Sequence, residues 1–316
     1  MGLGSNALDA IGREHAYRPI AGDVVFIGRQ TVYCTPDELV AHLRGHGHTV
    51  DRAAIEVNRT TVNRASGYAG KNLVTDRSIF RALGVDNVKA IDVSPYEGAE
   101  IIHDLNKPLP AHLQESVDFL IDGSTLDNVF DPAMALRNFA RLLRPGGRLL
   151  AINGYGTQET AYTFCSPGWF LDYFVENGFS DCKVYVTVES RGRLNTFWLD
   201  PGYVERARET VLPFHTSARM WITVFAEKGT ASTTDAVPIQ QHYRPHDAWD
   251  AYLKRLRVIQ ASGRPHLNRS YADLFLNRAF AGFVWMDREF RPRRHWREVP
   301  HRAYWKLRRV LKSSLS

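Results

Sequence analysis

The feature that most constrains the fold is an alternation of short apolar segments with segments of helical spacing. Residues 23–28, DVVFIG, are rich in β-branched and aromatic side chains and are bounded by Gly22 and Gly28. Such a run is typical of a strand buried on both faces of a parallel sheet. The pattern recurs, with strands predicted at 23–28, 88–93, 99–105, 117–123, 148–154, 182–190 and 219–229 and helices at 35–47, 75–83, 131–147 and 166–179.

This alternation predicts an α/β fold with a doubly wound, mainly parallel sheet. The helix starts are marked by N-cap residues followed by proline, as in Thr35-Pro36 and Asp131-Pro132. The last two predicted strands are joined by a long segment in which no helix is predicted. We therefore expect strand 219–229 to close the sheet in the antiparallel direction.

The segments outside the alternation suggest how the chain is divided. Residues 1–22 are predicted to form an N-terminal arm, and residues 23–229 form the main domain with a polar excursion at 48–73. Residues 230–245, rich in Thr, Ser and Pro, indicate a linker. Residues 246–316 are predicted as a helical extension with a basic tail, its helices lying near 246–260 and 270–286.

The charge of the chain is concentrated at one end. The 316 residues carry 40 basic and 34 acidic side chains, a net charge of +6, but residues 287–316 hold ten basic and three acidic ones. Three interpretations of segment 287–312 stay open: single-stranded nucleic acid could bind its Arg and aromatic residues, it could lie on an anionic membrane, or it could pack on the body as a terminal helix. Without a recognisable RNA-binding module, a nucleic-acid substrate is disfavoured.

Other classes are excluded by composition. Cys34, Cys165 and Cys182 stand at unrelated spacings, which indicates neither a disulfide framework nor a metal site. The N-terminus has no apolar segment of a secretory signal, and no run approaches the ~20 apolar residues that span a bilayer. A cytoplasmic protein is expected.

Polar residues and glycines follow each predicted strand, at the edge where parallel α/β sheets bind ligands. The first strand is followed by Gly28, Arg29 and Gln30, and the second ends at Asp92. The third strand ends in His103, Asp104 and Leu105. The fourth ends in Asp122 and Gly123, with Ser124 and Asp127 after it, and Tyr155 follows the fifth.

The run VDFLIDGSTLDNVFDPAMALRNFARLLRPGGRLLAIN, residues 117–153, resembles the fourth strand, fourth helix and fifth strand of class I S-adenosylmethionine-dependent methyltransferases. The phrase LLRPGGRL is common by itself, but the whole run with this spacing is specific. The resemblance extends over residues 23–229. It implies a Rossmann-like sheet, S-adenosylmethionine as cofactor and methyl transfer as the reaction.

The resemblance also implies residue roles. Asp92 stands where the family binds both ribose hydroxyls, with Val93 beside it, and Asp104-Leu105 stands where the adenine is bound. The first loop, Gly28-Arg29-Gln30, and the segment Asp122-Gly123-Ser124 border the rest of the cofactor. Each position also has a purely structural interpretation: a helix cap or turn former at Asp92, an Asx-turn at Asp104, and a tight turn at Gly123.

Two departures from the family pattern bear on activity. The first loop has one glycine where the family has several, a form typical of a divergent bacterial subset with a Gly-Arg-Gln loop and a long excursion. Asp127-Asn128 replaces a Glu-His pair of that subset, which removes a base titrating near neutral pH. The candidates for a general base are His103, Asp127 and Tyr155.

Three functions compete at this stage. The first is methyl transfer to a small-molecule or glycan acceptor, and the second is a non-catalytic methyltransferase-like scaffold, which the single-glycine loop motivates. The third, a nicotinamide-dependent enzyme, is disfavoured because G-x-G-x-x-G does not follow the first strand.

Overall fold

The structure, a computed structural model, describes residues 2–58, 70–155, 161–190, 193–209 and 219–261. The described residues contain ten strands and seven helices. The strands are β1 (Gly2–Leu3), β2 (Val24–Ile27), β3 (Thr31–Val32), β4 (Val88–Asp92), β5 (Ile101–Ile102), β6 (Val117–Asp122), β7 (Leu143–Tyr155), β8 (Asp181–Ser190), β9 (Arg193–Trp198) and β10 (Arg219–Glu227). The helices are α1 (Ser5–Tyr17), α2 (Pro36–Gly45), α3 (Asp76–Arg81), α4 (Pro132–Leu142), α5 (Pro167–Glu176), α6 (Pro201–Glu209) and α7 (His246–Gln260).

Eight strands form one sheet in the order β5-β4-β2-β6-β7-β10-β8-β9. Strands β5, β4, β2, β6 and β7 are mutually parallel. Strand β10 is inserted between β7 and β8 and runs antiparallel to both. The predicted mainly parallel, doubly wound sheet with an antiparallel strand near its end is confirmed.

The link between β8 and β10 differs from the prediction. We expected a long loop with no helix, whereas β9 pairs antiparallel with β8 and α6 follows it. Strand β9 therefore forms the edge of the sheet, and β10 lies inside it. The signal for α6 is Asp200-Pro201, a helix start that the polar composition of the segment obscured.

Local sequence accounts for the ends of several helices. Thr35 and Glu38 form a capping box at α2, and Asp131 accepts a hydrogen bond from the Met134 amide at α4. Both predicted N-caps are confirmed. The helix predicted over 131–147 ends at Leu142, since Arg144 precedes a proline and is biased away from helical geometry.

The sheet is covered on both faces. One apolar core contains residues of α1, α2 and α3, among them Leu8, Leu39 and Phe80. The other contains residues of α4, α5 and α7, among them Phe139 and Tyr252. The first predicted helix of the extension, α7, thus packs on the second face of the sheet.

The segments predicted as arm and linker are held against the body. Helix α1 places Glu14 beside Arg148 of β7 at 2.8 Å, with both side chains buried. In the segment predicted as a linker, Thr233 and Ala236 donate backbone hydrogen bonds to Asn177. The domain boundaries stay predictions, and the helix predicted near 270–286 and the basic tail lie outside the described residues.

None of the helices in these described ranges is both long enough and apolar enough to cross a membrane.

Candidate functional site

The parallel register of three neighbouring strands brings most of the predicted residues to one edge. Ile27 of β2 is level with Ile91 of β4 on one side and with Asp122 of β6 on the other. Gly28, Asp92 and Gly123 therefore follow adjacent strand ends. The carboxyl edge of an open parallel sheet, near the change in strand order, is where such folds bind ligands.

Gly28 allows the first loop to pass between two of these strand ends. Its φ is +70°, a left-handed conformation that favours glycine. A Cβ built on it would lie 3.2 Å from Thr125 Oγ1 and 3.6 Å from Asp92 Oδ2. The one glycine of the loop thus stands at a position where the backbone conformation favours glycine and lies close to the Asp92 carboxylate.

Arg29 holds this loop through ion pairs. Its guanidinium is 3.3 Å from Asp76 Oδ1 at the start of α3, and it pairs with Glu100 and with the Gly98 carbonyl. Asp76 also accepts a hydrogen bond from the Gln30 amide at 3.1 Å. Asp76 and Glu100 are absent from the predicted site residues, because no local pattern links either of them to Arg29.

Gln30 is buried beneath the loop. Its Nε2 donates to the Ile27 carbonyl at 3.0 Å and to that of Gly28 at 3.3 Å. Its Oε1 has no hydrogen-bond partner among the residues the structure describes. A buried acceptor without a partner carries a desolvation cost that a bound donor would remove.

One carboxylate oxygen of Asp92 accepts a hydrogen bond within its own turn, and the other accepts none from the described residues. Its Oδ1 accepts the Val93 amide hydrogen bond at 2.6 Å, whereas Oδ2 receives none from the described residues. Val93 is 66% exposed. The turn interpretation and the ribose-binding interpretation are therefore compatible, since they use different oxygens.

The segment after β5 has the structure of an Asx-turn. Asp104 Oδ1 accepts hydrogen bonds from Asn106 Nδ2 at 2.8 Å and from the Asn106 amide at 3.0 Å. These bonds lower the pKa of the Asp104 carboxyl below its usual value. Leu105 is buried, and His103 Nε2 lies 3.2 Å from the Lys107 carbonyl oxygen. The turn explains the Asp104 contacts, and binding of adenine here stays a prediction.

Asp122 and Asp127 are two buried carboxyls of one loop. Asp122 accepts hydrogen bonds from the Thr125 amide at 2.7 Å and from Asn153 Nδ2 at 3.0 Å. Burial raises the pKa of Asp122 to about 7, and the charge of Asp127 adds to that rise. Burial likewise raises the pKa of Asp127. The pKa of the buried Cys165 thiol rises to about 12, by burial and by these two carboxylates.

Ser124 joins Asp127 through an unusual backbone conformation. Its φ is +77°, which is uncommon for a residue with a side chain. Its hydroxyl donates to Asp127 Oδ2 at 2.8 Å, and Asn128 Nδ2 donates to Asp127 Oδ1 at 2.6 Å. Residues held in such geometry cluster at functional sites. Of the third base candidate, Tyr155, only the backbone lies within the described part of the chain.

Exposed apolar side chains are concentrated around this edge. The described residues include ten large apolar side chains that are exposed, and six of them follow or end strands at the carboxyl edge. The Phe130 and Tyr162 rings meet edge to face with centroids 6.0 Å apart. An exposed pair of rings beside the strand ends is a candidate surface for binding a ligand. The six residues are Val93, Tyr96, Ile102, Phe130, Tyr162 and Phe164.

A cavity of about 410 Å³ lies apart from these residues, between α4, α5, α6 and the segment 237–241. Its lining includes Arg137, Trp169 and Asp172 but none of the candidates from the sequence analysis. Burial raises the pKa of Asp172 to about 6, although Arg244, whose nearest nitrogen is 3.7 Å away, opposes the rise.

The residues at the carboxyl edge fit a nucleoside with a zwitterionic end. Asp92 has a carboxylate oxygen that accepts no hydrogen bond from the described residues, and Gly28 lies beside it. Two buried acceptors, Gln30 Oε1 and Asn153 Oδ1, lack hydrogen-bond donors among the described residues. An ammonium group is a donor of the required kind.

Part of the chain is similar to a known family of domains. Residues 77–151, from α3 to the middle of β7, match a family model described as a methyltransferase domain. No curated protein matches the sequence. The matched segment contains Asp92 and Asp122, and the match agrees with the methyltransferase class and the cofactor that the sequence predicts.

Solved structures with a similar arrangement are distant in sequence. An S-adenosylmethionine-dependent methyltransferase of Thermotoga maritima is 19% identical, with a TM-score of 0.31, over 45% of this chain and 73% of its own. The 1,6-didemethyltoxoflavin-N1-methyltransferase of Burkholderia thailandensis is 13% identical, with a TM-score of 0.27, over 71% and 78%. A phosphoethanolamine N-methyltransferase of Haemonchus contortus is 11% identical, with a TM-score of 0.34, over 70% and 52%.

Proposed function

We propose that this protein transfers the methyl group of S-adenosylmethionine to a small-molecule or glycan-type acceptor. The acceptor atom attacks the sulfonium methyl carbon in line, a new bond to that carbon forms, and the carbon–sulfur bond breaks to release S-adenosylhomocysteine. The observation that carries the proposal is that Gly28, Asp92 and Asp122-Gly123 lie at one edge of the sheet. The exposed rings of Phe130 and Tyr162 are in the loops that follow the neighbouring strands.

The cofactor would be held by residues of three strand ends. Asp92 Oδ2 is available to both ribose hydroxyls, and the exposed Val93 offers an apolar surface to the adenine. The backbones of Gly28 and Gly123 would border the cofactor, and Gln30 Oε1 and Asn153 Oδ1 are acceptors for the ammonium group. The bound cofactor supplies the activated methyl group.

The exposed rings of Phe130 and Tyr162 support a small, ring-containing acceptor. They lie beside the loop of Asp127, whose carbonyl accepts a hydrogen bond from the Tyr162 amide at 2.8 Å. Aromatic faces pack against the apolar faces of sugar and aromatic rings. Holding the acceptor in line is worth about 7–11 kcal/mol of the barrier.

Asp127 is the base we favour among the candidates. Its raised pKa moves it toward the range in which a carboxylate accepts a proton efficiently at neutral pH, and the Ser124 hydroxyl orients it by donating to Oδ2 at 2.8 Å. A base of this kind contributes about 10²–10⁴-fold when the acceptor is a hydroxyl group. His103 and Tyr155 stay alternatives.

Replacing Asp92 by alanine should weaken cofactor binding. Two hydrogen bonds to a charged carboxylate are lost, which predicts a rise in the Kd for S-adenosylhomocysteine of about 10–100-fold by isothermal titration calorimetry. Asp86→Ala is the matched control, because Asp86 is an exposed aspartate before the opposite end of β4. No binding by the native protein at millimolar ligand would instead favour the non-catalytic scaffold.

Removal of residues 287–316 should leave the Kd for S-adenosylhomocysteine within about twofold, since the candidate site is formed without them. The tail lies outside the described residues. We propose that the enzyme is cytoplasmic and that this basic segment contacts anionic membranes. Sedimentation with phosphatidylserine vesicles, before and after truncation, measures that contact. Loss of cofactor binding on truncation would show that the tail belongs to the site.

A further inference from the structure

The N-terminal strand lies directly against the first loop. Strand β1 pairs in parallel with β3, which places Leu3 level with Val32, and the Tyr33 amide donates to the Leu3 carbonyl at 2.9 Å. A Cβ on Gly2 would lie 2.1 Å from the Thr31 carbonyl oxygen. The backbones are therefore too close at this point for any side chain at position 2.

Leu3 reaches across the loop to Gly123 at the end of β6. Its Cδ2 would be 2.8 Å from a Cβ built on Gly123, and Gln30 Oε1 would be 2.6 Å from the same point. Leu3 itself is 1% exposed. Gly123 is thus enclosed between the N-terminal strand and the first loop.

Helix α1 fixes the strand in this place. Ala7, Leu8 and Ile11 are buried in the same apolar core as Leu3. At the far end of the helix Glu14 pairs with Arg148. The position of Leu3 is therefore set by a helix that is anchored at both ends.

We propose that the N-terminal strand forms one wall of the cofactor site, with Leu3 as a positioning residue that sets the Gly123 backbone. This inference rests on the proposed function, which places the methionine part of the cofactor beside Gly123. The wall excludes water from the end of the site where the sulfonium lies. It also leaves no room for a side chain at position 123.

The test is a double-mutant cycle of Leu3→Ala and Gly123→Ala, read by the Kd for S-adenosylhomocysteine and by the thermal midpoint of the unliganded protein. Leu3→Ala should raise the Kd by about 3–10-fold, and Gly123→Ala by at least about tenfold. Because Leu3→Ala removes one of the two clashes, adding Gly123→Ala to it should cost clearly less than in the native background. Strictly multiplicative effects would overturn the inference.

Leu256→Ala serves as the control for stability. Leu256 of α7 is as buried as Leu3 but packs on the other face of the sheet, so its truncation should lower the thermal midpoint similarly while leaving the Kd unchanged. Equal Kd values for the native protein, Leu3→Ala and Leu256→Ala would overturn the inference and leave the proposed function standing. If Leu3→Ala does not fold, Leu3→Val tests the same contact with a smaller loss of volume. Failure of the native protein to bind would instead overturn the proposed function, and this inference with it.

Discussion

Replacing Asp122 by asparagine is expected to make the free energy of unfolding much less dependent on pH between pH 4 and pH 7. In the native protein that free energy should fall as the pH rises through this range. Asp122 is fully buried, and its pKa rises from 3.8 to about 7. At one pKa unit per 1.36 kcal/mol, ionising it in the folded protein costs about 4 kcal/mol.

The direction follows from proton binding. Between pH 4 and pH 7 the folded state holds a proton on Asp122 that the unfolded state has released, so the free energy of unfolding falls as pH rises and levels off above pH 7. Asparagine has the shape of the protonated acid and keeps an oxygen for the Thr125 amide. Asn153 can rotate its amide to accept from the new NH₂ group, because its Oδ1 is buried without a partner among the described residues.

Urea unfolding of the unliganded protein at pH 5 and pH 8 measures the difference. The native protein should lose about 2–4 kcal/mol more than Asp122→Asn over this interval. Asp127→Asn is an informative comparison, since it removes a neighbouring charge that raises the Asp122 pKa and should reduce the decline only in part. Parallel pH profiles for the native protein and Asp122→Asn would contradict a raised Asp122 pKa.

Replacing Arg148 by methionine is expected to lower the free energy of unfolding by about 3–5 kcal/mol. The change removes the 2.8 Å ion pair with Glu14 and the hydrogen bonds to the Arg18 and Pro19 carbonyls. It leaves a buried carboxylate without its guanidinium partner. Such a charge costs more than the pair itself contributes.

The double variant Glu14→Leu/Arg148→Met tests this reason, because it removes both charges and should recover much of the loss. Arg13→Met, which breaks an exposed pair with Asp9, should cost below about 1 kcal/mol. Urea unfolding of all three variants at pH 7 provides the comparison. If the double variant were no more stable than Arg148→Met, packing and the two carbonyl bonds would be the cause instead of the unpaired charge.

The sequence by itself determined the features that depend on neighbouring residues. Helix starts at Thr35 and Asp131 were predicted correctly because capping requires only a side chain and the next turn of the backbone. The buried strands were visible as apolar runs. Asp92, Asp122 and Gly123 were found as a candidate site because parallel strands carry ligands at their carboxyl ends and the run 117–153 resembles a known family.

Only the tertiary structure decided which distant residues complete the site. Asp76 and Glu100 hold Arg29, and Leu3 encloses Gly123, through contacts between segments separated by 47 to 120 positions. The place of β10 inside the sheet and the pairing of β9 were likewise absent from any local pattern. Periodicity reports which face of a segment is buried, but not the partner that buries it, since strand order and ion pairing are set by the packing of the whole chain.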